Sequence, residues 1–234
     1  MLIIPVIDLS HGLVVHAKQG DRKNYQPVTS VISSSSKPES VLSAYLKLYP
    51  FKIIYIADLD AIQGTGNQNA IIKELSLRYG QCEFWVDAGM EAVLDDQHYF
   101  KSINVRLILG SENKIPIELL SNIFNKNPDI LLSLDFSESG LLDNPYLFNE
   151  SNVWPRQIIA MMLHRVGLNK GIDISCLNKV LKHAKDKDTF AAGGVQNLKD
   201  LYQLSKMGVK GALLASALHN GSITQDDLHL IAEQ

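Results

Sequence analysis

Two stretches decide how this chain is read: Ala88-Gly89 with Leu109-Gly110-Ser111, and Gly193-Gly194 with Leu214-Ala215-Ser216. From Gly89 to Gly110 is 21 residues, and from Gly194 to Ala215 is again 21. Each interval starts where an apolar run ends (83–86, then 189–192), crosses a helical pattern and closes after a second apolar run. A turn of small residues at a strand end leaves backbone N–H groups bare and lets an anion approach closely. For either pair alone, a tight strand-to-helix turn is the simpler reading. The repeated spacing favours two clamps on one ligand, most simply a small phosphorylated substrate with two phosphates.

Working outward, short apolar runs alternate with helical patterns along most of the chain. Strands are expected at 2–8, 52–58, 83–87, 105–109, 130–135, 157–162, 189–192 and 211–214. Helices are expected at 38–49, 67–78, 92–100, 116–125, 174–183, 198–207 and from 224 onward. Pro38 and Pro116 suit a first helical turn, and Asn197 suits an N-cap. Eight strands with crossover helices predict an α/β fold, a (β/α)8 TIM barrel built of two similar half-barrels. The barrel is expected to be one domain over residues 1–234, with halves at roughly 1–126 and 127–234. Between Phe136 and Pro155 helical periodicity fades, so a short helix or a loop is expected there. The stretch from Gly20 to Lys37, with its run of four serines, reads as a mobile loop, either a lid or a passive insertion.

Composition narrows the function classes. With 46% hydrophobic and 20% charged residues and a formal net charge of −3, nothing points to nucleic acid or a membrane surface. Met1 to Asp8 lacks the basic start of a signal peptide. Cys82 and Cys176 form no metal or redox motif, and the seven histidines show no ligand spacing, so a reduced cytoplasmic protein without metal or cofactor is expected. Oligomeric state is left open.

In a parallel barrel the site lies at the C-terminal strand ends. That rim receives Asp8, Asp58, Asp60, Asp87 and Asp135. Asp8 and Asp135 end the first strand of each half and should face each other across the mouth. One protonated and one ionised carboxyl on opposite sides of a substrate suit proton transfer. Magnesium held by several rim carboxylates is the competing reading, and for Asp58 and Asp60 so is bracing of neighbouring loops. No lysine ends a strand, which argues against a Schiff base. His16 and His164 lie near the rim.

These residues resemble the histidine-biosynthesis barrels, the phosphoribosylformimino-aminoimidazole-carboxamide ribotide isomerase and the imidazole glycerol phosphate synthase cyclase. The match runs through Ile4-Pro5-Val6-Ile7-Asp8-Leu9, Gly12-Leu13-Val14-Val15 and Gln19-Gly20-Asp21. It continues through Ile56-Ala57-Asp58-Leu59-Asp60-Ala61, Ser133-Leu134-Asp135, Ala192-Gly193-Gly194-Val195 and from Gly208 to Leu218. The resemblance implies an Amadori-type aldose-to-ketose isomerisation with Asp8 and Asp135 as acid and base. It implies one phosphate clamp at Ala88, Gly89, Gly110 and Ser111 and another at Gly193, Gly194, Ala215 and Ser216.

Departures from that family surround the same positions. His16 stands where the isomerase carries Arg, and Asp87-Ala88-Gly89-Met90-Glu91 stands where it carries Gly-Gly-Gly-Ile-Arg. An anion beside the first clamp weakens phosphate binding there. The sixth-strand motif has become Met161-Met162-Leu163-His164-Arg165-Val166-Gly167-Leu168, which loses polar substrate contacts and implies a different substrate. Arg165-Val166-Gly167 and the stretch from Ile56 to Gly64 are similar to a divergent branch of methanogens and methylotrophic bacteria. That likeness implies a role in tetrahydromethanopterin or methanofuran synthesis. His16, Asp58, His164 and Arg165 are further substrate-site candidates. Two alternatives stand beside an isomerase-like enzyme with a new substrate: the histidine-pathway enzyme itself, and a silent barrel that binds a phosphorylated ligand or a partner.

Overall fold

The computed structural model describes residues 1–18, 21, 24–94, 104–113, 115–142, 145–168 and 170–233. Its strands, in chain order, are β1 (Leu2–Ser10), β2 (Leu13–His16), β3 (Gln26–Pro27), β4 (Ile53–Asp58), β5 (Glu83–Asp87) and β6 (Val105–Gly110). They continue with β7 (Leu131–Ser137), β8 (Gly140–Leu141), β9 (Gln157–Met162), β10 (Asp188–Ala192) and β11 (Gly211–Leu214). Parallel pairing runs β1-β4-β5-β6-β7-β9-β10-β11 and returns to β1 through Leu2↔Gly211 to Pro5↔Leu214, which closes an eight-stranded barrel.

Period-two alternation explains both faces of this wall. Ile4, Tyr55, Trp85, Ile108, Leu131, Ile159, Phe190 and Leu213, one from each barrel strand, form a single buried cluster inside. Trp85 and Phe190 meet edge to face there, with ring centroids 4.8 Å apart, and help to fill the interior. The neighbouring residues, such as Ile7, Ile54, Phe84 and Leu132, belong to the larger core beneath the helices. Two residues beyond the inner cluster, the same inward face carries Asp87 past Trp85 and Ser133 past Leu131. Two further along lies Asp135, and Asp8 sits four residues past Ile4.

The ends of β1 and β7 repeat one another. After Asp8, β1 turns into an antiparallel pairing with β2, Leu9↔Val14 and Ser10↔Leu13. After Asp135, β7 does the same with β8, Phe136↔Leu141 and Ser137↔Gly140. These hairpins were not expected from the sequence, because β8 is two residues long and forms only at the end of a longer strand.

The helices agree with the expected pattern in most places. Pro38 opens Pro38–Leu48, Asn197 caps Leu198–Lys206, and Thr224 with Asp227 forms a capping box on Gln225–Ala232. Beside Thr224, which caps the terminal helix rather than opening it, three starts differ. The helix expected from 67 is Asn69–Arg78, and Pro116 is the N-cap of Ile117–Lys126 rather than part of its first turn. The one expected at 92–100 begins at Gly89 and is described to Leu94, with 95–100 outside the described residues. Between β8 and β9 the expected loss of helix appears as two short turns, Pro145–Phe148 and Ser151–Val153. Single-turn helices Leu59–Ile62 and Ser216–His219 follow β4 and β11.

Of the stretch expected to be mobile, 20, 22 and 23 lie outside the described residues, as does Gln19 of the quoted motif. The remainder is tied down. β3 pairs with β2, Val31 N–H donates to His219 O at 2.8 Å, and Val14 N–H donates to Ser36 O at 2.8 Å. Among the described residues no helix is long and apolar enough to cross a membrane.

Candidate active site

A cavity of about 390 Å³ opens at the C-terminal ends of the strands. Asp8 and Asp135 both line it. They stand on β1 and β7, four strands apart in an eight-strand ring, so they occupy opposite walls as the repeat predicts.

Asp135 is held on several sides. Ser133 Oγ donates to its Oδ1 at 2.7 Å, while Ser111 Oγ and the Glu112 amide approach Oδ2 at 3.4 Å each. Its own amide donates to Ser111 Oγ at 2.9 Å. Burial pushes its carboxyl up to about 7; the Ser133 hydrogen bond opposes the shift, and the charges of Asp87 and Glu112 add to it. A carboxyl near that value holds or releases its proton around neutral pH, which suits a general acid. Asp8 is half-buried on the facing wall.

The two glycine clamps differ sharply. Gly193, Gly194, Ala215 and Ser216 line the cavity. Both glycines have positive φ, +93° and +94°, and a side chain on Gly193 would sit 2.5 Å from Met162 O. Among the described residues the amides of Gly194, Ser216 and Ala217 donate to no protein acceptor. His16 Nε2 lies 3.4 Å from Ser216 Oγ, on the exposed edge of this clamp.

Ala88, Gly89, Gly110 and Ser111 are also brought together, yet they lie outside the cavity lining and their polar groups serve the protein. The Gly89 amide donates to Asp87 Oδ1 at 3.2 Å and the Ser111 amide to Ser133 O at 2.8 Å. Gly110 is packed against Asp135, where an added Cβ would lie 3.0 Å from Oδ2. What this side offers the cavity instead is carboxylate, from Asp87 and Glu112.

Asp58 and Asp60 are braces. Asp58 caps Leu59–Ile62, accepting from the amides of Ala61 at 3.0 Å and Gln68 at 2.6 Å. Asp60 accepts from Ser10 Oγ at 2.9 Å and the His11 amide at 2.8 Å. Neither lines the cavity, so Asp58 leaves the set of substrate-site candidates; its strand-end position made it look like a rim residue, and the helical turn after β4 draws it inward.

His164 lies outside the main cavity. It lines a smaller one of about 230 Å³ with Glu138, Arg165, Lys170 and Asp173. Its Nε2 is 3.0 Å from Asp173 Oδ2 and its Nδ1 is 3.2 Å from Phe136 O. Arg165 lines both cavities, and its buried Nε has no hydrogen-bond partner among the described residues. Among the described residues no group of three or more His, Cys, Asp or Glu side chains is placed to hold a metal ion.

Tyr55 and Glu112 were missed in the sequence. Tyr55 reads there as an interior strand residue. Glu112 directly follows Ser111, and taking Gly110-Ser111 as an anion clamp hid the carboxylate next to it.

A family model described as histidine biosynthesis protein matches residues 2–224. An uncharacterized protein of Methanocaldococcus jannaschii is 35% identical over 233 residues, 97% of each chain. Phosphoribosyl imidazole-4-carboxamide isomerases are also similar. That of Halothermothrix orenii is 27% identical, over 98% of this chain and 99% of its own. That of Thioalkalivibrio sulfidiphilus is 26% identical over the whole of both chains.

Proposed function

The chain belongs to the histidine biosynthesis protein family, and from that premise we propose an isomerase-like enzyme acting on a phosphorylated, sugar-derived amine by proton transfer between Asp8 and Asp135. The observation that carries this is the pair itself, two carboxyls on opposite walls of one cavity, one buried and shifted to about 7. Asp135 gives its proton to the ring oxygen of a cyclic aldosylamine. The C1–O bond breaks as the nitrogen lone pair forms a C1=N double bond. Asp8 then removes the proton from C2, and those electrons make an enaminol that tautomerises to the ketose. Atoms and charge balance without any oxidant, and the proton ledger closes between the two carboxyls.

The phosphate sits against the Gly193–Gly194 and Ala215–Ser216 amides, with His16 at the edge beside Ser216. Its counterpart wall has its amides engaged internally and carries Asp87 and Glu112, which speaks against the two-phosphate substrate of the isomerases named above. The placement in tetrahydromethanopterin or methanofuran synthesis is supported by the resemblance to the methanogen and methylotroph branch and by the Methanocaldococcus relative.

The test is turnover, by purified protein, of the histidine-pathway aminoaldose beside a one-phosphate aldosylamine made from ribose 5-phosphate and a primary amine. Rearrangement of the one-phosphate compound, reduced about 100-fold or more in Asp8→Asn and Asp135→Asn, is the expected result. Efficient turnover of the two-phosphate compound, with rescue of a histidine auxotroph, would show the histidine-pathway enzyme instead.

A further inference from the structure

The cavity is polarised from wall to wall. Tyr55 on β4, Asp87 on β5 and Glu112 just past β6 line one side, next to Asp135 on β7 and Asp8 on β1. The glycine wall past β10 and β11 carries no acid among its described residues. Among the described lining residues the cationic side chain is Arg165, whose guanidinium donates to Lys170 O at 3.2 Å and lies 3.8 Å from Asp173 Oδ2. Its charge is therefore spent on another carboxylate and does not offset the acidic wall.

Tyr55 is a second, independent observation. The residue is 3% exposed and opens on this cavity, yet its hydroxyl has no hydrogen-bond partner among the described residues. Burial first, and then Asp87, Asp135, Asp8 and Glu112, act against ionisation of that hydroxyl, and all four acids line the same cavity as Tyr55. A hydroxyl that opens on a ligand space and makes no hydrogen bond to a described residue is placed to meet a ligand, and its oxygen can accept from an N–H donor. An anionic group brought here would face the carboxylates at short range.

The chemistry of the cation follows from the spread of the acids. They come from separate strand ends, and among the described residues no three converge as metal ligands would. An organic ammonium, with N–H donors pointing in several directions, matches dispersed acceptors better than a compact ion does.

We infer that the Tyr55–Asp87–Glu112 wall binds a cationic nitrogen, so that the substrate carries a phosphate at one end and a protonated amine at the other. This deepens the function proposed above and rests on it for the phosphate end. Asp8 and Asp135 keep the proton transfers, and Asp87 and Glu112 select the charge of the distal group.

The experiment is a titration of isotope-labelled protein, followed through its amide shifts, with four probes of matched length. They are 4-aminobutyl phosphate, n-pentyl phosphate, butane-1,4-diol bisphosphate and n-butylamine. The expected result is that 4-aminobutyl phosphate binds about tenfold or more tightly than n-pentyl phosphate. It should move the Gly194 and Ser216 amides together with those of Asp87 and Glu112. In the Asp87→Asn/Glu112→Gln double variant that preference should fall toward unity while n-pentyl phosphate keeps its affinity, which also reports an intact fold. Equal binding of the two monophosphates, or tightest binding of the bisphosphate, would overturn the inference and leave the phosphate wall standing. If no phosphate ester moves Gly194 while n-butylamine still moves Asp87 and Glu112, the phosphate reading fails and the cationic wall stands. No response to either amine overturns the inference.

Discussion

Asp135 and His219 show how single buried groups tie this barrel to pH, and they pull in opposite directions. For Asp135 the folded value, about 7, lies above the ordinary carboxylate value of 3.8. The native state therefore holds the extra proton, and this contribution to stability is full below about pH 4 and lost as pH rises through about 7. His219 is lowered to about 4 by burial first and by His16 second, within a network in which its Nε2 meets Tyr45 Oη at 2.8 Å and its Nδ1 meets Ser30 Oγ at 2.9 Å. Its contribution is full above about 6.5 and lost as pH falls through about 4. Urea denaturation across pH 4–8 should show Asp135→Asn flattening the loss of stability toward neutral pH, and His219→Gln flattening the loss toward acid. Ser133→Ala removes a donor to the Asp135 carboxylate, so the limb of the kcat/KM profile governed by that group should move up by about one pH unit. An unmoved limb would mean that Asp135 does not govern it.

At the scale of elements, the turn after β10 is the most demanding piece of backbone. Gly193→Ala would require φ near +93° and a methyl 2.5 Å from Met162 O, so a loss of more than about 2 kcal/mol is expected in denaturation. Gly64→Ala, at φ +66° with nothing within 4 Å, should cost less. Thr224→Ala removes a capping box and should cost about 1 kcal/mol. The eight barrel strands were legible in the sequence because apolar runs with period-two burial leave few alternatives, and Asn197 and Thr224 were legible as helix starts. The hairpins were not, since β2 and β8 exist only through pairing beyond Asp8 and Asp135. The Gly193–Gly194 turn was legible as glycine at a strand end. Where the Gly89 and Ser111 amides donate was not, because it depends on packing between β5, β6 and β7. His164 reached Asp173 for the same kind of reason, through a loop whose path the sequence does not encode locally.

Across the whole molecule, four barrel strands and one hairpin recur from β1 and again from β7, but the chemistry at their ends does not. The glycine wall of the second half keeps accessible amides, while the corresponding wall of the first has become carboxylate and hydroxyl around Tyr55. A repeated barrel wall thus holds an asymmetric cavity, and the proposed proton-transfer pair, Asp8 and Asp135, faces across it from β1 and β7. Tyr55→Phe should retain the fold and weaken amine-bearing ligands selectively, seen as a raised KM for a cationic aldosylamine with little change for a neutral one. In the proposed reaction Asp8 removes the C2 proton of a one-phosphate aldosylamine that Asp135 has opened. The most direct test is wash-in of deuterium from heavy water at C2 of the aldosylamine formed from ribose 5-phosphate and 1,3-diaminopropane, read by proton NMR. The wild-type protein should catalyse exchange, and Asp8→Asn and Asp135→Asn should each slow it about 100-fold or more. Exchange that survives in either variant, or a wild-type protein no faster than buffer, would rule out proton transfer by Asp8 and Asp135.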